Sequence, residues 1–222
     1  MDFFISITSY KREKNLKSLL KQINDQKGHY KIGGVILIDR CDYGVISYEG
    51  FEVLRFKEHY GRKRFYELMN IAFDKMKQNN FKYYINLQDD IILRDNFFSK
   101  CAYLWENIKD DKKIILDLRN DERAGSSLWG LYPVHVVNFN KELYYKSQWF
   151  DLVFMSDHKI KEYMPKLYYV NMDSSSGVAR QITKRFRKNG LNMYHYSKTL
   201  VHHGHCESLM NPEIRKKEKL IC

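Results

Sequence analysis

Residues Phe81–Asp95 read FKYYINLQDDIILRD. Tyr83, Tyr84, Ile85, Asn86 and Leu87 are mostly aromatic, β-branched or apolar, the composition of a buried strand. Two consecutive acids, Asp89 and Asp90, close the run, and Ile91, Ile92 and Leu93 turn apolar again. A strand that ends in carboxylates puts negative charge at the mouth of a sheet, where open α/β folds bind ligands. Paired carboxylates there suit a divalent cation, which takes oxygen ligands and bridges to phosphates. Taken alone, the pair is more simply a strand followed by an acidic turn. Its meaning depends on the chain around it.

Toward the N-terminus, Asp2–Thr8 (DFFISIT) reads as a first strand, and Ser9–Arg12 as a polar, basic turn. Leu16, Leu19, Leu20 and Ile23 then recur at helical spacing and predict a helix over Glu13–Gln26. Gly33–Asp39 (GGVILID) is a second buried strand that also ends in an acid. The chain thus opens as β-α-β, the crossover unit of a parallel sheet. Phe51–Phe56 is a third strand. Gly61–Asn79 is a helix whose Phe65, Leu68, Met69, Ala72, Phe73 and Met76 share one core-facing side. Beyond the acids, Asn96–Ile108 reads as a helix and Lys113–Leu118 as a fifth strand. Residues 1–118 form a Rossmann-like alternation.

The remainder is less regular. Arg119–Gly130 reads as a polar loop and Val134–Phe139 as a strand. Asp157–Met164 is a short helix stopped by Pro165, Leu167–Val170 a strand, and Ser175–Asn189 a basic helix closed by Gly190. Met193–Tyr196 and Thr199–His202 are short strands, and Asn211–Cys222 is a charged tail. With 222 residues, three prolines and no linker-like stretch, the chain is expected to form one domain.

The net charge of +11 favours anionic partners such as nucleotide phosphates, nucleic acid or an acidic membrane. The lysines are spread along the chain, which argues against a dedicated nucleic-acid binder. Cys41, Cys101, Cys206 and Cys222 form no CxxC pair, so reduced thiols in a cytoplasmic compartment fit better than a zinc or disulfide framework. Phe3–Ile5 is too short for a signal-peptide core, and no apolar run reaches membrane-spanning length.

Five groups of residues carry possible chemistry. In the turn after the first strand, Thr8 and Ser9 can meet a nucleotide and Arg12 can pair with phosphate; either hydroxyl could instead cap the next helix. Asp39 can hold a base or ribose, or pair with Arg40 in a turn. Arg62, Lys63 and Arg64 oppose the macrodipole at a helix start, so they serve either pyrophosphate or a surface patch. The segment Val201–Ser208 (VHHGHCES) gathers three histidines. Imidazole ligates divalents such as Mn²⁺, so His202 and His205 could join Asp90 in an oxygen/nitrogen site. Asp157 is a candidate general base for an acceptor hydroxyl, with Asp151 as competitor; a helix cap is its simpler role.

In their order, ISITSYKRE, VILID, GRKRFYELMNIAF, YYINLQDDIIL, SDHKIKEYM and LVHHGHCES resemble the GT-A glycosyltransferases, especially the broad family-2-like group. The resemblance implies an α/β fold with a mostly parallel central sheet flanked by helices. Residues 1–118 would form the nucleotide-sugar half and 119–210 the acceptor half, followed by a basic tail. It implies transfer from a UDP- or GDP-sugar to a hydroxyl on a glycan or lipid-linked acceptor, with inversion, supported by Mn²⁺ or Mg²⁺. The family's acidic triplet matches Gln88–Asp89–Asp90, with Gln88 in place of the first acid and Asp90 as the metal ligand. The late histidine matches His202, then His205, and the base matches Asp157. Nucleic acid is not an expected partner, and Arg215–Lys219 could touch a membrane surface. A sugar-nucleotide pyrophosphorylase is the nearest rival, but the Gly-rich loop it needs after the first strand is missing. A non-enzymatic nucleic-acid binder would explain the charge but not carboxylates at a sheet mouth.

Overall fold

The computed structural model describes residues 1–119, 135–147, 149–171 and 177–204. The first half follows the expected alternation: β1 (Phe3–Ser9), α1 (Glu13–Gln26), β2 (Ile32–Asp39), β3 (Phe51–Phe56), α2 (Gly61–Gln78) and β4 (Tyr83–Gln88). There follow β5 (Ile91–Leu93), α3 (Phe97–Asn107), β6 (Lys113–Asp117), β7 (His135–Phe139), β8 (Glu142–Ser147) and β9 (Phe154–Asp157). The chain continues with α4 (Ile160–Tyr163), α5 (Val178–Lys188), β10 (Asn192–Tyr196) and β11 (Val201–His203).

Nine strands form one sheet in the order β3-β2-β1-β4-β9-β6-β10-β8-β7. β1 to β4 are parallel. β9 runs antiparallel between β4 and β6, which restores the original direction for β6 and for β10 beside it. β8 and β7 complete an antiparallel edge. The carboxyl ends of β1, β2, β4, β6 and β10 therefore share one edge of the sheet.

Both faces of the central strands are buried, as parallel strands covered by helices require. Phe3, Ile5 and Ile7 of β1 face α1 and α3 together with Tyr83, Ile85 and Leu87 of β4. Phe4, Val35, Leu37 and Tyr84 face α2, α4 and α5. Each apolar set predicted for α1 and α2 is the set that is buried. At Gly34, a side chain would collide with the carbonyl oxygen of Ile5, so the glycine allows β1 and β2 to pair there. Gly190 ends α5 at φ 66°.

Three expectations in the second half are corrected. Asp157 ends β9 rather than opening a helix, because the alternating run Phe154–Ser156 is gripped between β4 and β6. Only Ile160–Tyr163 is helical there. Leu167–Val170 is not a strand: Asn70 binds the backbone N–H and carbonyl of Leu167, and Gln181 does the same for Tyr168, so side chains replace a ladder. Glu142–Ser147, which was not read as a strand, is β8. The loop beyond Arg119, residues 175 and 176, His205, Cys206 and the tail lie outside the described residues.

Candidate functional site

The carboxyl edge is held in an unusual backbone geometry. Two residues past β1, Lys11 has φ 55°, and immediately after β2, Arg40 has φ 38°. Both are non-glycine residues in the left-handed region, a conformation that costs energy and clusters at ligand sites. The turn after β1 reaches across to the end of β4. Ser9 Oγ donates to Asp89 Oδ2 at 2.8 Å, and the Tyr10 N–H donates to the same oxygen at 3.1 Å. Arg12 Nη1 lies 3.3 Å from Asp89 Oδ1 and 2.9 Å from Asp90 Oδ2. The Tyr43 hydroxyl accepts from the Arg12 N–H at 2.6 Å and lies 3.0 Å from Ser9 Oγ. Burial pushes the Tyr43 phenol up to about 12, so it stays protonated at neutral pH.

Asp89 and Asp90 are 4% and 3% exposed, so a pair of carboxylates is buried at the sheet mouth. Burial pushes the Asp89 carboxyl up to about 6, against the donors that hold it. The folded protein thus keeps a proton on Asp89 to a higher pH than the unfolded chain does. Stability from this group is complete below about pH 4 and is lost as pH rises toward 6. The shift from 3.8 to about 6 corresponds to roughly 3 kcal/mol. Urea unfolding across this range should show the fall, and Asp89→Asn should flatten it; an equal slope in both proteins would contradict the assignment.

β11 pairs antiparallel with β5, placing His203 opposite Ile91, and the Gly204 N–H donates to the Asp90 carbonyl at 2.6 Å. His203 Nδ1 lies 3.5 Å from Asp90 Oδ1. Arg119, just past β6, donates to His203 Nε2 at 2.5 Å and forms an ion pair with Asp151. The Asp151 N–H donates to Asp117 Oδ2 at 2.6 Å, and Asp117 Oδ2 lies 3.5 Å from His195 Nδ1. Burial pushes the Asp117 carboxyl upward. A continuous line of polar contacts therefore runs from Asp90 through His203, Arg119, Asp151 and Asp117 to His195.

Of the residues singled out in the sequence, Ser9, Arg12, Asp89 and Asp90 meet in this cluster. Thr8 and Gln88 pair with each other across β1 and β4 beneath it. Asp151 stands on the same edge, just before β9. His202 does not face Asp90: strand alternation turns it outward beside Ile92, and His203 takes its place. Asp157 pairs with Tyr83, the first residue of β4, at the opposite edge. It is about 16 Å along the strand from Gln88, and its Oδ1 accepts from the Lys159 N–H in a turn. Asp39 uses Oδ1 and Oδ2 to accept from the Tyr60 and Gly61 N–H groups and lies 3.0 Å from His59 Nδ1. It anchors the start of α2 rather than pairing with Arg40. His59 in turn stacks on Tyr10 at 4.4 Å between centroids. Arg64 is held by Glu58 at 3.0 Å and Glu67 at 2.7 Å, so two carboxylates occupy the cation expected to serve pyrophosphate. Arg62 is half-buried in the first turn of α2.

Tyr43, Asp117, Arg119 and His203 were not singled out by sequence. Only His203 left a signal, as a member of the histidine trio, and the choice between it and His202 depended on knowing which way the short strand faces. Among the described residues, no three His, Cys, Asp or Glu side chains gather as a metal site. The protein's own offer to a divalent ion is a carboxylate, Asp90, beside an imidazole, His203. That donor set fits Mn²⁺ or Mg²⁺ in kind, with the remaining positions left to phosphate oxygens and water. The Arg119 bond to Nε2 leaves the proton on Nδ1, so ligation through Nδ1 would need the other tautomer.

No protein-family model matches the sequence, and no curated protein does. Solved structures do. Residues 1–349 of S. aureus TarS superpose with a TM-score of 0.55 at 13% identity, covering 92% of this chain and 60% of that one. A longer S. aureus TarS structure gives a TM-score of 0.56 at 12% identity, covering 92% of this chain and 37% of that one. The chain thus spans less than two thirds of each TarS chain it matches. At that level of identity the likeness to TarS is one of fold alone.

Proposed function

We propose that the protein transfers a sugar from a nucleoside diphosphate sugar to a hydroxyl on a glycan or lipid-linked acceptor. The observation that carries this reading is the buried Asp89–Asp90 pair at the carboxyl edge, with Arg12 on one side and His203 on the other. Two buried carboxylates repel a diphosphate unless cations intervene. Here Arg12 and Arg119 bring fixed positive charge to the edge, and Asp90 would hold the divalent ion, joined by His203 Nδ1 once the ring proton moves to Nε2 and Arg119 lets go of that nitrogen. Such an ion supplies Lewis-acid stabilisation of charge on the leaving diphosphate.

Each residue then has a separable task. Asp89 fixes the β1 turn through Ser9 and Tyr10, which presents Arg12. Arg12 bridges both carboxylates and is close enough to share a phosphate brought to Asp90. Arg119 orients His203 against Asp90 and Asp151 at once. Asp151, rather than Asp157, would take the acceptor proton, because it lies on the donor's edge of the sheet. Transfer by a single displacement, with inversion, is the reading we favour.

The test is a thermal-shift panel of UDP- and GDP-sugars, each with and without Mn²⁺, since a ligand bound only by the folded protein raises its melting temperature. A shift that needs both components is expected; no shift with any nucleotide sugar would overturn the reading. In the same assay Arg12→Ala should weaken nucleoside diphosphate binding about tenfold or more, as for loss of a charge-assisted contact. Arg64→Ala should leave affinity within about twofold, because Glu58 and Glu67 already engage it. Equal losses in both variants would contradict the placement of Arg12.

A further inference from the structure

α5 has two unlike sides. Val178, Ile182, Thr183 and Phe186 are buried against the sheet. Arg180, Lys184, Arg187 and Lys188 follow at spacings of four, three and one, which aligns them on the opposite side. Arg185 flanks that stripe, and all five are exposed. The helix contains no acid, and among the described residues Lys184, Arg185, Arg187 and Lys188 have no ion-pair partner. Cations in the last turn complement the macrodipole, which accounts for Arg185, Arg187 and Lys188. It does not account for Lys184. Like charges four residues apart, as at 184/188, destabilise a helix unless something negative lies across them.

The charge is concentrated as well as aligned. Residues 159–188 contain eight Lys and Arg against Glu162 and Asp173, so 8 − 2 = +6 of the chain's +11 lies there. Beside the stripe, Tyr168 and Tyr169 are 64% and 48% exposed. They are held in place: Gln181 accepts from the Tyr168 N–H at 3.1 Å and donates to its carbonyl at 2.7 Å.

We propose that this face of α5, with Tyr168 and Tyr169, docks on an anionic lipid bilayer. The stripe is a straight row about 12 Å long, suited to a layer of phosphate headgroups. Exposed tyrosine rings, apolar in body and polar at the tip, favour the headgroup level of a membrane; the Tyr169 hydroxyl donates to Asn171 Oδ1 at 3.5 Å. A single-strand nucleic-acid binder interleaves rings with cations along one track; here the two rings stand to one side of the charges. Because α5 leads into β10 at the amino edge of the sheet, the Arg187–Lys188 end lies away from Asp90. Docking leaves the carboxyl edge open. The inference does not depend on the proposed sugar transfer.

Co-sedimentation of the full chain with phosphatidylcholine vesicles, with and without phosphatidylglycerol, tests it. Binding that needs phosphatidylglycerol and is lost at high salt is expected. The variant K184Q/R187Q/K188Q should bind these vesicles about 100-fold more weakly, at roughly fivefold per charge, with its melting temperature retained. Tyr168→Ala with Tyr169→Ala should weaken binding independently. The proposal is overturned if the triple variant binds like the parent, which would move the contact elsewhere, for example to residues 205–222. It is also overturned by equal binding to pure phosphatidylcholine, or by tighter binding to a single-stranded oligonucleotide than to the acidic vesicles.

Discussion

Asp90→Asn should lower sugar transfer about a thousandfold or more, the loss of roughly 4 kcal/mol of charge stabilisation at the leaving diphosphate. Asp90 is the one acid that touches both halves of the site. Its Oδ2 meets Arg12 from the β1 turn, its Oδ1 faces His203 from β11, and its carbonyl accepts from Gly204. Asparagine keeps the shape and the backbone contact, so the fold should survive while the charge is lost. Two measurements separate the causes: turnover with a nucleotide sugar, and the Mn²⁺-dependent part of the thermal shift. Both should fall together. Unchanged turnover would refute the role, and a fall in turnover with the Mn²⁺ response intact would move the ion to other residues. Asp89→Asn should do less, because Asp89 spends its oxygens on Ser9, Tyr10 and Arg12.

The half of the fold that builds this edge was legible because its physics is local. α1 and α2 announce their buried faces through apolar spacing, and β1, β2 and β4 are apolar on both sides because helices cover both. What was not legible is non-local. β9 looks like the lead-in to a helix until β4 and β6 are seen to enclose it, and β8, half-buried between β10 and β7, carries too many polar residues to stand out. The site divides the same way. Asp89, Asp90, Ser9 and Arg12 sit at the ends of well-signalled strands, and their meeting follows from β1 and β4 being neighbours. For Arg64 the sequence leaves pyrophosphate and a surface patch open, because Glu58 and Glu67, near it in sequence, close on it only once α2 has formed. The choice of His203 over His202 turned on the alternation of a three-residue strand, and Asp117 gives no sign of its place until β6 and β10 are paired.

The same non-local step decides the general base. Asp151→Asn should reduce turnover between about 100-fold and 10,000-fold, the usual contribution of a positioned base, while donor binding stays as in the parent. Asp157→Asn should leave turnover within about twofold, since a turn carboxylate far from the reacting bond cannot reach an acceptor proton. The contrast rests on register: Asp157 lies opposite Tyr83 at the start of β4, whereas Asp151 precedes β9 at the end where β4 delivers Asp89 and Asp90. Arg119 strengthens the case for Asp151, because one guanidinium contacts both this carboxylate and His203. That contact also predicts a coupling. Arg119→Ala should depress turnover in the parent but add little to the loss in Asp151→Asn, as expected of residues that act through one another. Full activity in Asp151→Asn would exclude it. Loss of activity in Asp157→Asn with an unchanged melting temperature would mean that the acceptor approaches from the amino edge, and the donor site would have to be sought there as well.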